Sequence, residues 1–238
     1  MKKILHLFPI LMSLYGEYGN VAILKRELEN MGEEVTVTES ESADVNFSDF
    51  DFVYVGSGTE DNLMEAAARL ADAKESILAS MQTGTFYLAT GNAMALFGKT
   101  LARGNRQVAG VEAFPFTTQM RDEKRYLGDV LSTDSNLSAA RALGFVNTAC
   151  VYTGIQKPLL VLEMGSKLGN DKQSAADGIL EENFIGTQLV GPFLVKNPHF
   201  LKLVAEKLTG KKMVLSPETN QFKAYESALR QLLGRLQK

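Results

Sequence analysis

Side chains able to do chemistry are scarce in this sequence. Its 238 residues include one cysteine, Cys150, and two histidines, His6 and His199. A single cysteine excludes an internal disulfide and an all-cysteine metal site, and two histidines argue against a multi-histidine site, so we expect no metal. Cys150 stands in a weakly apolar stretch, His6 in a predicted strand and His199 at a predicted helix start. These surroundings favour a structural role for each of them over a catalytic one.

Two glycine-bearing loops are better placed for a site. Gly-Ser-Gly at 56–58 follows the apolar run DFVYV, and Thr-Gly-Asn at 90–92 follows TFYLA. In open α/β sheets, ligands bind beyond the carboxyl ends of the strands, so these two loops are the predicted site. The backbone N–H groups of the first loop could hold a carboxylate or an amide even without turnover.

The elements that must position these loops alternate between strand and helix. Apolar runs predict strands at 3–8, 34–38, 51–55, 85–89 and 184–189. Apolar residues spaced three or four apart predict helices at 21–31, 60–82 (broken near Asp72) and about 217–236. Strands separated by helices need crossover connections, which predict a mostly parallel sheet with helices on both faces. We therefore expect a single three-layer α/β domain over residues 1–238.

Composition and charge narrow the possible partners. Hydrophobic residues make up 45% and charged residues 22%, and the net charge is −3. A weakly acidic chain without a basic block is not expected to bind nucleic acid or an anionic membrane. It has no apolar run of about 20 residues, and its start lacks the pattern of a signal peptide, so we expect no membrane insertion and a cytoplasmic location. No phosphate-binding loop is present, so we expect no nucleotide and no cofactor.

Five segments, in chain order, resemble motifs of the class I glutamine amidotransferases. They are Tyr15–Asn20 (YGEYGN), Gly56–Asp61 (GSGTED), Thr90–Phe97 (TGNAMALF), Arg125–Asp129 (RYLGD) and Phe184–Pro192 (FIGTQLVGP). They are most similar to the cobyric-acid-synthase-like branch, which includes the glutaminase subunit (GatD) of lipid II isoglutaminyl synthase. The resemblance covers residues 1 to about 208 and implies a flavodoxin-like core.

The resemblance also implies where the chemistry should lie. Enzymes of this class hydrolyse glutamine with a cysteine at a strand-to-helix elbow, activated by a histidine about a hundred residues later. Thr90 stands at the cysteine position and Val190 at the histidine position. A hydroxyl without a base cannot replace a thiolate, so we expect these two positions to be degenerate and glutaminase activity to be absent. The candidate ligand-binding residues are Gly56, Ser57, Gly58, Gly91 and Arg125, the last standing where the family has an arginine linked to glutamine.

Three functions remain open at this point. The favoured one is a non-hydrolysing binding or regulatory subunit, whose partner by resemblance is a Mur-ligase-like ATP-dependent subunit and whose ligand could be glutamine or a related small amide. The second is an active subunit that supplies ammonia for amidation of peptidoglycan precursors or of a cobyrinate-like acid. The third is a hydrolase with a serine or threonine nucleophile, which would require an acidic residue within hydrogen-bonding reach of Thr90.

Overall fold

A six-stranded sheet forms the centre of the computed structural model, which describes residues 1–134 and 140–237. Five parallel strands stand in the order β14-β4-β3-β1-β2, and β13 pairs antiparallel with β14 at one edge. The strands of this sheet are β1 (Lys2–Leu7), β2 (Val35–Ser40), β3 (Phe52–Val55), β4 (Phe86–Thr90), β13 (Ile179–Glu181) and β14 (Phe184–Thr187). The predicted α/β class with a mostly parallel central sheet is confirmed.

Helices cover both faces of this sheet, as predicted. The helices are α1 (Gly19–Asn30), α2 (Glu60–Leu70), α3 (Lys74–Thr83), α4 (Phe193–Lys196), α5 (Pro198–Thr209) and α6 (Asn220–Leu236). Successive side chains of a strand point to opposite faces. In β3, Val53 and Val55 accordingly belong to the core cluster beneath α2 and α3, whereas Phe52 and Tyr54 belong to the cluster beneath α1 and α5. Because β3 is buried on both faces, it reads as a continuous apolar run.

The second half of the chain adds two smaller sheets that the sequence pattern does not predict. One has the order β10-β7-β5-β6 and the other β12-β11-β8-β9-β15. Their strands are β5 (Thr100–Arg103), β6 (Arg106–Ala109), β7 (Thr117–Met120), β8 (Tyr126–Asp134), β9 (Arg141–Thr148), β10 (Cys150–Thr153), β11 (Leu160–Met164), β12 (Ala176–Asp177) and β15 (Leu189–Val190). Residues 128–131, 144–146 and 159–162, whose apolar content is typical of strands, lie in or next to β8, β9 and β11.

Helix ends are close to the predicted positions. The break expected near Asp72 is a short 3-10 turn, Ala71–Ala73, between α2 and α3. The last helix begins at Asn220 rather than near 217, because the Thr219 side chain accepts the Phe222 N–H and caps it. The segment after β4, expected to open a helix, forms a 3-10 turn at Gly91–Phe97. Within the described parts of the chain, no helix is both long and apolar enough to cross a membrane.

Strand register brings the predicted loops to one edge of the sheet. Val55 pairs with Ala89, and Thr90 pairs with Thr187, so β3, β4 and β14 end nearly level. The residues that follow these three strands therefore meet in one place.

The first prediction concerns the aromatic cluster beneath this edge. The Phe97 ring is 1% exposed and lies 4.7 Å from the Phe184 ring and 5.8 Å from the Tyr87 ring, centre to centre. We expect Phe97→Ala to lower the free energy of unfolding by about 3–5 kcal/mol, because it removes a buried ring and leaves a cavity. Val214→Ala, at an 86% exposed site, should change it by less than about 0.5 kcal/mol. Urea unfolding measures both, and equal effects would contradict the packing described.

Candidate functional site

Three of the predicted site segments meet around Gly91. Its φ of +63° lies in the left-handed region. A Cβ atom placed on Gly91 would lie 2.5 Å from Ser57 Oγ and 2.8 Å from Val190 Cγ1. Ser57 is 2% exposed, and so is Val190. The structure thus brings together the 56–58 loop, the turn after β4 and the 190 position, and position 91 faces the other two.

The Thr90 side chain joins a different group of polar side chains. Its hydroxyl lies 2.8 Å from the Tyr54 hydroxyl and is hydrogen-bonded to the Glu17 carboxyl. The same carboxyl accepts the Tyr54 hydroxyl at 3.0 Å and, through its other oxygen, the Gly191 N–H at 2.8 Å. Asn20 completes the group by donating to the Tyr54 hydroxyl at 2.9 Å. We call Glu17, Asn20, Tyr54 and Thr90 the Glu17 cluster.

Burial shifts the pKa values of Glu17 and Tyr54 in the Glu17 cluster. Glu17 is 1% exposed, and Thr90 and Tyr54 are fully buried. Burial raises the pKa of the Glu17 carboxyl, although its hydrogen bonds to Thr90, Gly191 and Tyr54 oppose the shift. Burial and the nearby Glu17 also raise the pKa of Tyr54 well above its usual value. A raised pKa makes a carboxylate a stronger proton acceptor, but Glu17 is enclosed and offers no approach to a substrate.

The Asn92 side chain is hydrogen-bonded to the 56–58 loop. Its Oδ1 accepts the Gly58 N–H at 3.0 Å and the Ser57 hydroxyl at 3.1 Å, and its Nδ2 donates to the Gly58 carbonyl at 2.7 Å. One of the N–H donors that the sequence analysis offers to a carboxylate or an amide, that of Gly58, is therefore already paired within the chain. Gly56 is also packed closely, since a Cβ there would lie 2.8 Å from the Met12 carbonyl oxygen.

Arg125 lies at the rim of the same region. Its guanidinium donates to Glu60 Oε1 at 2.6 Å and to Asn147 Oδ1 at 2.9 Å. Glu60 is the first residue of α2, directly after the loop that contains Gly58. Tyr15 is close enough for its pKa to be influenced by Arg125, although burial is the larger effect and raises that pKa. Arg125 is thus brought near the site but is engaged by side chains of the protein.

Cys150, His6 and His199 are packed against other parts of the protein. Cys150 is fully buried, and burial raises the pKa of its thiol to about 11, so at neutral pH it is not a thiolate. His199 packs edge-on against the rings of Phe222 and Tyr225. His6 lies in β1, where burial lowers its pKa. Residues 1–134 and 140–237 hold no group of three or more His, Cys, Asp or Glu side chains that could bind a metal ion.

The sequence analysis missed the parts played by Glu17 and Asn92. A signal for Glu17 was available, because it lies in the loop that follows β1, a parallel strand of the same sheet. Ligands bind beyond the carboxyl ends of such strands. No comparable signal exists for Tyr54, because a tyrosine inside the apolar run FVYV reads as ordinary core.

Comparison with known proteins places these features in a family. Residues 3–198 match the model of the CobB/CobQ-like glutamine amidotransferase domain. The chain is 27% identical over 233 residues to the lipid II isoglutaminyl synthase (glutamine-hydrolyzing) subunit GatD of Streptococcus pneumoniae, covering 96% of this chain and 87% of that protein. It is 23% identical over 211 residues to the GatD subunit of Staphylococcus aureus, covering 88% and 85%.

Solved structures agree in fold. A glutaminase domain of Trypanosoma brucei CTPS is similar with a TM-score of 0.57 and 11% identity, covering 93% of this chain and 99% of that one. A structure described as a glutamine amidotransferase is similar with a TM-score of 0.55 and 13% identity, covering 86% and 98%. At such identities the likeness concerns the fold alone.

The raised pKa of Glu17 yields the second prediction. A carboxyl whose pKa is raised by folding stabilises the native state fully below its unfolded pKa of about 4.5, and this stabilisation is lost as the pH rises through the folded pKa. The wild type should therefore lose stability relative to Glu17→Gln as the pH rises above about 4.5, by at most about 1.4 kcal/mol per pH unit.

Urea unfolding of both proteins across this pH range measures the trend. Glu218→Gln, whose side chain is 84% exposed, is the control and should run parallel to the wild type. A difference between wild type and Glu17→Gln that does not change with pH would contradict a carboxyl whose pKa is raised by burial.

Proposed function

The chain belongs to the CobB/CobQ-like glutamine amidotransferase family, and from this premise we propose that it is a non-hydrolysing member, a binding or regulatory subunit. The main support for the proposal comes from the surroundings of position 91. That position faces Ser57 and Val190 and has no side chain, so the turn presents neither a nucleophile nor a base.

The direction of the side chains favours Gly91 over Thr90 as the nucleophile position. A nucleophile at a strand-to-helix elbow sits on a sharp, strained turn that exposes its side chain to the oxyanion-binding loop. Gly91 has the left-handed backbone of such a turn and faces Ser57. Thr90 instead ends β4 in an extended conformation, with its hydroxyl in the Glu17 cluster. In this proposal Gly91 replaces Thr90, the residue taken from the motif, as the degenerate nucleophile.

The space for a nucleophile is also filled. The Ser57 hydroxyl lies where a side chain at 91 would extend. The Asn92 side chain accepts hydrogen bonds from that hydroxyl and from the Gly58 N–H. An oxyanion could bind there only if these internal hydrogen bonds were broken.

One observation favours a hydrolase with a threonine nucleophile, because the Glu17 carboxyl is within hydrogen-bonding reach of Thr90. Burial opposes that function. Thr90 is 0% and Glu17 1% exposed, so a substrate carbonyl has no approach to the hydroxyl. The Glu17 cluster is better explained as a polar group that holds four chain segments together.

The relatives suggest the setting in which such a subunit works. Both curated relatives are named as subunits of lipid II isoglutaminyl synthase. We propose that this chain likewise acts in the cytoplasm beside a Mur-ligase-like partner in amidation of a peptidoglycan precursor. It would contribute binding or regulation, and the ammonia would come from solution or from another protein. The competing function is that of an active subunit that supplies ammonia from glutamine.

Glutamate release from glutamine separates these two functions. The purified chain, alone and with its ligase partner, should release glutamate no faster than buffer, and glutamine should not raise its melting temperature, since a ligand stabilises only the state that binds it. Amidation by the complex should proceed with free ammonia and not with glutamine. Glutamine-dependent amidation well above background would contradict the proposal and favour the active subunit.

Restoration of the missing groups tests the assignment of position 91. We expect the triple variant Ser57→Gly, Gly91→Cys, Val190→His to gain glutaminase activity about 100-fold above the wild type, since positioned acid–base pairs contribute about that much or more. The matched control carries Thr90→Cys in place of Gly91→Cys. Reaction of the new thiol with iodoacetamide gives a readout independent of turnover. Faster alkylation at 90 than at 91 would show that the turn presents Thr90 and not Gly91.

A further inference from the structure

A cavity of about 400 Å³ lies beneath the last helix, away from the 56–58 loop. Its walls come from α6, from β8 and β9, and from the short helix α4. Leu143, Val195, Ala228 and Leu232 supply apolar surface, and Lys196, Arg235 and Asp129 supply charge. The volume falls within the range of about 300–1,000 Å³ that is usual for small-molecule sites.

The cavity exists because α6 packs on a small core of its own. Leu131, Leu143, Tyr225 and Leu232 form a buried cluster separate from the two clusters that flank the central sheet. Tyr225 and Leu232 are the buried residues of this 17-residue helix. The Tyr225 hydroxyl fixes the helix by donating to the Arg141 carbonyl at 2.8 Å. Contact at these points leaves a gap between the helix and β9 that none of the described side chains fills.

The charges of the cavity favour an anion. Arg235 and Asp129 form an ion pair at 2.5 Å, so they compensate each other. In the part of the chain that the structure describes, the Lys196 ammonium makes no hydrogen bond or ion pair, apart from its electrostatic influence on Glu17. It lies above the Gly191 backbone, 3.4 Å from where a Cβ on that residue would stand. Among the described residues, the lining thus has one cation, Lys196, that no hydrogen bond or ion pair engages, and it stands beside an apolar wall.

We propose that this cavity binds a small amphipathic anion, a carboxylate or sulfonate with an apolar body, and that Lys196 pairs with its charged group. The apolar body would lie against Leu143, Val195 and Leu232, where burial of apolar surface supplies affinity. The charge on Lys196 selects anions over neutral molecules of the same shape. This site does not depend on the proposed function, because it shares no side chain with the 56–58 loop or with position 91.

Two naphthalene probes that differ in charge test the site. The anionic probe is 8-anilinonaphthalene-1-sulfonate, and the neutral one is N-phenyl-1-naphthylamine. Fluorescence titration of the full chain should show saturable binding of both, with the anion bound more tightly. Lys196→Met should weaken binding of the anionic probe about 10-fold and leave binding of the neutral probe unchanged. Octanoate should displace the anionic probe, whereas octylamine should not.

Control variants locate the probe. Lys223→Met, on the outer face of the same helix, should leave both affinities unchanged. Ala228→Trp should abolish binding of both probes by filling the cavity. If that variant does not fold, as judged by circular dichroism, the comparison of Lys196→Met with Lys223→Met decides alone. Equal affinity of wild type and Lys196→Met for the anionic probe overturns the proposal. So does binding that responds instead to Lys207→Met, which would place the probe in the depression beneath α5.

Discussion

The close approach of three chain segments at Gly91 is the constraint on which the candidate site depends. The turn after β4 brings the backbone of residue 91 against Ser57 on one side and Val190 on the other, with no room for even a methyl group. The left-handed φ at this point independently favours glycine. The identities of residues 57, 91 and 190 are therefore linked through van der Waals contact, and the 56–58 loop takes its position from the absence of a side chain at 91.

The Glu17 cluster supplies the second constraint, through hydrogen bonds rather than shape. The two oxygens of one carboxyl connect the loop after β1 with β3, β4 and the turn at Gly191. In a medium of low polarity, each of these bonds is stronger than in water, and each would be costly to leave unmade. The burial that makes these bonds strong also raises the pKa of the carboxyl and closes it off from solvent. Cohesion of the site and the enclosure of Glu17 thus have one cause.

The fold was largely predictable from the sequence, and the site only in part. Alternating strand and helix patterns locate β1 to β4, α1 and the broken helix at Asp72, because each element buries one face or both faces with a clear period. The two smaller sheets escaped prediction, since their short strands pair with distant partners that no local pattern names. The loops at 56–58 and 90–92 were found because they follow buried strands. The sequence did not show which residue of the second loop faces the first. A motif match can be wrong by one residue, and adjacent side chains point in opposite directions.

The tight contact between Gly91 and Ser57 also bears on how such a sequence can evolve. A cysteine gained at 91 by one mutation would collide with the Ser57 hydroxyl, and a glycine gained first at 57 would leave Asn92 without one of its hydrogen-bond donors. In the non-hydrolysing member that we propose, each single step toward a reactive turn would carry a cost before any catalytic benefit existed. Interlocked side chains of this kind make a change at position 91 depend on concerted changes at its neighbours.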